Sequence, residues 1–515
     1  MPEALDFSRP IKTLLVYPAY PDTFWSFKHV LPFISRKAAF PPLGILTVAA
    51  MLPGDWEKKL IDLNVTKLTD EDLARADMVL ISAMAVQEES TREVIARAGG
   101  LGKRVVAGGP LFSASHERFS GVDHFVLDEA ETTLAPFLED LRAGQAKALY
   151  TSAERPDITV TPLPLWELIN FKDYVSLAVQ YSRGCPFDCE FCDIVVMNGR
   201  RPRVKSPEQM IGELEHVYAH GWRGTLFIVD DNFIGNLVQV KKLLPQIAAW
   251  QKARRYPFTF MTEASINLAQ DDDLMRMMSA ANFHKVFVGI ETPSVDSLKE
   301  CGKNQNVAAD FATAVRKIHQ NGMQVMGGFI VGFDSDTDSI FDRQIRFIQE
   351  IGVVTAMVGI LNAMPRTRLW HRLKAENRLL GQASGENTDA SLNFIPRMGA
   401  EALIEGYKNV LSAIYSPKLY YKRINTFIAS YKPTAKGGRL LRHEMRAFVK
   451  SLWRIGVVSR ARFQFWKLML KTILTKRKAF PMAVELAILG QHFERVARRV
   501  LAGPVRGETT VEDGS

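Results

Sequence analysis

Along the first 130 residues, short apolar runs alternate with stretches in which apolar positions recur every three or four residues. Residues 11–17 (IKTLLVY), closed by Pro18, read as a buried strand. A helix is expected at 43–51, a strand at 58–63, a helix near 70–76 and a strand at 78–84. A further helix at 88–98 leads to a strand at 104–107, then Gly108-Gly109-Pro110, then a last strand at 123–127. This alternation predicts a parallel, doubly wound α/β sheet over residues 1–150, with its ligand crevice beyond the carboxyl ends of the strands. Those ends carry Pro18, Asp62, Asn64, Ser82, Gly108, Gly109, Asp128 and Glu129.

Residues 151–175 lack periodicity and carry Pro156, Pro162 and Pro164, which marks a linker, with Trp166 and Tyr174 expected to pack it down. The strand–helix rhythm then resumes. Strands are expected at 177–181, 225–229, 259–264, 285–290, 324–331 and 356–361, with helical stretches at 207–218, 237–253 and 308–321. Six β/α units predict a partial barrel over 176–365 whose chemistry gathers at the strand carboxyl ends. Polar residues do gather there: Asp230-Asp231-Asn232, then Glu263 with Ser265 and Asn267, then Gly289-Ile290-Glu291, then GGFIVGFDSD at 327–336. Singly, each acid could equally be a helix cap. Residues 366–503 read as helical, and 504–515 as a disordered tail.

Charge changes the picture for that helical region. Between Ser416 and Val500, twenty Lys and Arg stand against three Glu, a net +17 in a chain whose total is +9. The cations interleave with Tyr420, Tyr421, Phe427, Trp453, Phe463, Phe465, Trp466, Leu468 and Leu470. Such a mixture, densest at 460–478, suits a helix lying on an anionic membrane. A helical cap with a solvated cationic face remains open. RNA binding is disfavoured because no recognised nucleic-acid module is present. No apolar window is long enough to span a bilayer, and the first ten residues lack a signal-peptide pattern, so a cytoplasmic protein, peripheral on the inner membrane face, is expected.

The most specific chemistry lies in YSRGCPFDCEFCD, where Cys185, Cys189 and Cys192 form a C-x-x-x-C-x-x-C array just after a strand-like run. Buried structural cysteines do not sit among Gly184, Pro186, Asp188 and Glu190, which are turn residues. Structural zinc closes with four ligands, and no second C-x-x-C or histidine pair lies nearby. A disulfide framework does not fit a large chain with four cysteines, three of them clustered. Three thiolates on one turn can hold three irons of a cubic cluster, leaving the fourth iron open. Cys301 and His284 read as structural.

With Phe191 before its last cysteine, this array resembles the radical S-adenosylmethionine superfamily. The resemblance implies a 4Fe–4S cluster on Cys185, Cys189 and Cys192, S-adenosylmethionine on the open iron, and Phe191 flanking the adenine. It further implies Asp231 and Asn232 near the methionine amino group, Glu263 and Glu291 near the ribose, and Gly328 and Gly332 near the adenine. The family's glutamate after that glycine motif is unmatched, with Asp334 or Asp336 as stand-ins. The N-terminal domain, with Pro41-Pro42-Leu43-Gly44 and the E-x-E of Glu129 and Glu131, resembles the Rossmann-like cobalamin-binding domain of one subclass. Asp62, Asn64, Ser82, Gly108, Gly109 and Glu129 are its expected cofactor contacts. Where that subclass can place a histidine on cobalt this chain has Asn64, so a lower corrin face without protein imidazole is expected. A degenerate domain that binds nothing is the alternative.

The whole layout is similar to cobalamin-dependent radical methyltransferases that methylate hopanoid lipids. That implies a methyl group passed through cobalamin to an unactivated carbon of an apolar, polycyclic lipid, with flavodoxin or ferredoxin as electron donor. Alternatives are an oxidative cyclase or methylase of a porphyrin or secondary metabolite, and a tRNA-modifying radical enzyme.

Overall fold

The computed structural model describes residues 5–434, 436 and 442–503. The expectation of a disordered 504–515 lies outside them. Two compact units result: 1–21, 36–185 and 197–230 form the first, and 22–35, 186–196 and 231–515 the second.

The first unit is built on a six-stranded sheet of β1 (Lys12–Tyr17), β2 (Glu57–Asp62), β3 (Met78–Ser82), β4 (Arg104–Gly108), β5 (His124–Val126) and β6 (Leu149–Tyr150). The order is β2-β1-β3-β4-β5-β6 with each neighbouring pair parallel, so the chain reverses direction across the sheet between β1 and β3. That order is doubly wound and opens its crevice at the carboxyl ends. Strands covered on both faces need apolar residues at consecutive positions. Leu14 and Val16 accordingly join Val79 and Ile81 in one core, while Leu15 joins Leu80 and Val106 in the other. The two-residue β6 was not expected, being too short to show a period.

The first unit also holds β7 (Leu177–Val179) and, beyond the two-residue strands β8 (Ser182–Arg183) and β9 (Arg203–Val204), β10 (Gly224–Ile228). β7 and β10 are parallel partners, and β8 and β9 pair antiparallel. The second unit carries β11 (Phe258–Glu263), β12 (Phe283–Glu291), β13 (Gln324–Val331) and β14 (Ala356–Ile360), each parallel to the next. These are the expected barrel strands, shifted by a residue or two at their ends.

The helical C-terminal region corrects one expectation. Tyr420, Tyr421, Phe427, Phe465 and Leu468 are buried core residues rather than surface aromatics. Arg423 is buried too, donating to the carbonyls of Ile414 at 3.0 Å and Val354 at 3.2 Å, with Tyr415 and Tyr420 rings beside its guanidinium. The exposed large apolar side chains on the helix Arg462–Thr475 are Phe463, Trp466, Leu470, Ile473 and Leu474, and Trp453, Val457 and Val458 are exposed ahead of it. Among the described residues, no helix is long and apolar enough to cross a membrane.

Candidate active site

The cysteine loop is fixed from both ends by backbone. On the first unit's stretch, Tyr181 N donates to Asp230 Oδ1 at 2.8 Å and Ser182 Oγ to Asp230 Oδ2 at 2.6 Å, so the buried Asp230 anchors the entry. Gly184 follows at φ +100°, and a Cβ there would lie 2.9 Å from the Gly199 carbonyl oxygen, so only glycine fits this approach. Cys185 N donates to the same carbonyl at 3.2 Å.

In the second unit, Glu190 N donates to Cys301 O at 2.8 Å and Cys192 N to Cys189 O at 3.2 Å. The Glu190 carboxylate receives two bonds from Arg372, at 2.7 and 3.1 Å, and Arg372 also reaches Asp334 at 2.7 Å. Asp334, further paired with Arg378, is held at about 2 against the cost of burial. Asp334 therefore braces the loop. Asp336 accepts from Gly332 N, Phe333 N and Ser297 Oγ, which makes it a turn lock.

All four cysteines are free thiols. Cys301 is the buried one, its thiol raised to about 12 by desolvation. Burial also raises the Cys189 and Cys192 thiols, with Lys303 pulling the other way. Three cysteine sulfurs in one braced loop, none of them in a disulfide, are a donor set that fits a three-cysteine iron–sulfur cluster. Phe191 packs against Phe333, ring centroids 6.3 Å apart.

Lys303 escaped the sequence reading. Its ammonium is ion-paired with Glu291 and lies 5.9 Å from the centre of the Phe191 ring. Its charge is held well above the ordinary lysine value: burial lowers it, and Glu291 and the cysteine sulfurs more than offset that. Glu291 stands at φ +68° at the end of β12. Gly289 makes room for the pair, because a Cβ there would lie 2.6 Å from Lys303 Nζ and closer still to Glu291. Gly328 is its register partner on β13, where a Cβ would meet Phe287 at 2.9 Å. Gly332, at φ +102°, abuts Leu403. Asn232 exchanges hydrogen bonds with Ser265, Asp231 lies beside Asp193, and Glu263 ends β11. Gln305 Nε2 is 3.9 Å from Cys189 Sγ.

At the first unit's sheet the expected cofactor residues are already engaged. Asp62 accepts from Asn64 N, Asn64 Nδ2 and Tyr174 OH at 2.8–2.9 Å. Asn64 Oδ1 accepts from Tyr20 N at 3.0 Å, and Nδ2 also reaches Pro18 O at 3.3 Å. A Cβ on Gly108 would lie 2.6 Å from the Val126 carbonyl, and one on Gly109, at φ +89°, 2.7 Å from Ser82 Oγ. The glycines are thus required by neighbouring protein. Glu129 is bridged to Arg183 and Arg203, and Glu131 to Arg183, at 2.8 Å. The fit to a corrin rests on shape and backbone: glycines, a serine and satisfied amides ring the strand ends, and Asn64 supplies no imidazole.

Three family models divide the chain: the B12 binding domain over residues 31–138, the radical SAM superfamily over 179–348, and a domain of unknown function (DUF4070) over 367–504. The class is therefore a radical S-adenosylmethionine enzyme with a cobalamin domain. A protein of Synechocystis named as an uncharacterized methyltransferase is 40% identical over 489 residues, covering 94% of this chain and 91% of its own. The hopanoid C-2 methylase of Rhodopseudomonas palustris is 32% identical, covering 90% and 89%. The structure of the radical S-adenosylmethionine methyltransferase TsrM from Kitasatospora setae, with cobalamin and a 4Fe–4S cluster bound, shares the fold. Its TM-score is 0.64 at 16% identity, covering 96% of this chain and all of that one. The chain belongs to the cobalamin-dependent radical S-adenosylmethionine methyltransferases, enzymes that methylate carbon with a 4Fe–4S cluster, S-adenosylmethionine and cobalamin.

Proposed function

We propose that this enzyme methylates an unactivated carbon of an apolar, polycyclic lipid of hopanoid type. The observation that carries the reading is the exposed row Phe463, Trp466, Leu470, Ile473 and Leu474, bordered by Arg462, Lys467 and Lys471, in a chain 32% identical to a hopanoid C-2 methylase. Monomeric proteins leave so large an apolar row open where it meets a membrane or partner, and each nearby cation adds about 1 kcal/mol at an anionic leaflet. A peripheral position on the inner face of the membrane, from the cytoplasm, follows from that reading.

Cys185, Cys189 and Cys192 hold the cluster. When bound, the cluster supplies the electron that cleaves S-adenosylmethionine, and the corrin carries the methyl group. Phe191, Gly328 and Gly332 shape the adenine end, Asp231 and Asn232 receive the methionine amino group, and Glu263 takes the ribose. Glu291, neutralised by Lys303, presents one remaining oxygen in place of a free charge. The Gly108–Gly109 backbone and Ser82 would hold the corrin, while Asp62 and Asn64 brace the Pro18 and Tyr20 backbone. Glu129 positions β8 and β9, the paired strands between which the cysteine loop runs. Flavodoxin or ferredoxin is the fitting reductant. The domain limits expected from sequence, 1–150, 151–175, 176–365 and 366–503, are kept as the proposed functional division of the chain.

The test is the lipid profile of a host strain lacking the gene, with complementation by the cysteine-intact chain and by a C189A variant. Loss of one methylated polycyclic lipid, restored only by the intact chain, is expected. An unchanged profile overturns the lipid substrate. Vesicle flotation tests the membrane face separately: the double substitution Phe463→Ser, Trp466→Ser should cut binding to anionic vesicles several-fold.

A further inference from the structure

Asp22, His29 and His492 come together within the second unit, although 463 positions separate the two histidines. One carboxylate oxygen and one nitrogen of each ring lie within 4.8 Å of one another. His29 Nε2 is 2.8 Å from Asp22 Oδ2, and the other Asp22 oxygen accepts from Ser26 Oγ at 3.1 Å. His492 is fully buried. Its Nε2 lies 2.9 Å from the Phe24 carbonyl, an acceptor, so the ring proton sits on Nε2. Nδ1 is left with its lone pair and has no hydrogen-bond partner. A ring proton donated to a backbone carbonyl, with the other nitrogen open, is how metal-ligating histidines are oriented.

From these contacts we infer that Asp22, His29 and His492 form a binding site for one divalent transition-metal ion of the zinc type, separate from the iron–sulfur loop. Two imidazoles and one carboxylate are a ligand set for such ions. Metal–ligand bonds of about 2.0–2.2 Å require ligand atoms roughly 3–3.5 Å apart. The Asp22–His29 pair is already that close, and His492 needs a shift of about 1 Å or a little more. Asp22 and His29 remain partly exposed, which leaves a path for entry and a position for water. A group set against the ion is Arg495, whose guanidinium lies 3.5 Å from His29 Nδ1. Metal on Nε2 would make Nδ1 a donor and turn this exposed arginine outward. The ion would tie segment 22–35 to the helix Phe480–Ala502 as a structural clamp.

The test uses the full chain loaded with cluster and cobalamin, so that the cysteines cannot compete. Zinc is titrated against a chromophoric chelator and counted by mass spectrometry apart from iron and cobalt. One zinc per chain is expected, with a rise in melting temperature. Asp22→Asn and His29→Gln, at partly exposed positions, should each weaken zinc by at least about tenfold and abolish the thermal shift. Arg495→Ala should bind zinc at least as tightly as the parent chain. No zinc on the parent chain, or equal zinc on D22N and H29Q, overturns the site. Weaker zinc on R495A does so too, since the guanidinium would then belong to the triad.

Discussion

At the strand ends of the first unit, polar groups satisfy one another: Asp62 with Asn64 and Tyr174, Glu129 with Arg183 and Arg203. At the ends of β12 and β13 in the second unit, a lysine and a glutamate are buried as a pair beside an aromatic ring and two free thiols. The difference follows from what each cofactor asks of protein. A corrin brings its own metal and ring ligands, so the host supplies shape and backbone. A cluster and a charged sulfonium cofactor need thiolates and compensating charge from side chains.

The largest effect expected is at the thiols. Cys189→Ala should reduce 5′-deoxyadenosine formation to background by chromatography–mass spectrometry while cobalamin absorbance on the purified chain stays at parent level. Loss of both together would break the contrast between the regions. Next comes the buried pair. Lys303→Met strands Glu291 without its partner and should cost about 3–5 kcal/mol by denaturant melting, whereas Lys303→Met with Glu291→Leu should recover much of that stability without recovering activity. Full recovery of activity in the double variant would show that the pair serves packing alone.

Glu129→Gln sharpens the other side. It removes charge from a bridge to two arginines and should cost about 1–3 kcal/mol, lowering iron retention and leaving corrin retention unchanged. Corrin loss with iron intact would instead place Glu129 at the corrin. The smallest effect concerns pH. Burial lowers His319 from 6.5 to about 3 and His284 to about 4. Each is neutral when folded and takes a proton on unfolding below pH 6.5. The stability they contribute is therefore full above pH 6.5 and lost as pH falls toward 3–4. His319→Leu should spare about 2 kcal/mol of the loss between pH 7 and 5, read from denaturant midpoints.

The sheets were legible because parallel strands covered on both faces demand unbroken apolar runs, as at Met78–Ser82 and Gln324–Val331. Strands β6, β8 and β9 have two residues each and carry no period. The cysteine array announced itself by spacing. Lys303 did not, because it returns to Glu291 only through the helix Val295–Glu300 and the turn that follows it. The signal available was indirect: Gly289 and Gly328, opposite each other on adjacent strands, mark where side-chain volume must come from elsewhere. In the C-terminal helices, apolar residues occupy both faces of Arg462–Thr475. Composition alone could not separate buried Phe465 and Leu468 from exposed Phe463 and Leu470.

The stacking of Phe24 on Phe493, ring centroids 4.5 Å apart, has a bearing on birth rather than chemistry. Residues 22–35 leave the ribosome early, yet their packing partners on the helix Phe480–Ala502 are made only after all of residues 36–479. At about 5–20 residues per second, Phe24 and Phe27, both packed on Phe493, wait on the order of half a minute to a minute and a half for that helix. Throughout that interval a nascent chain presents them as bait for chaperones, and any message truncated before residue 480 leaves them so permanently.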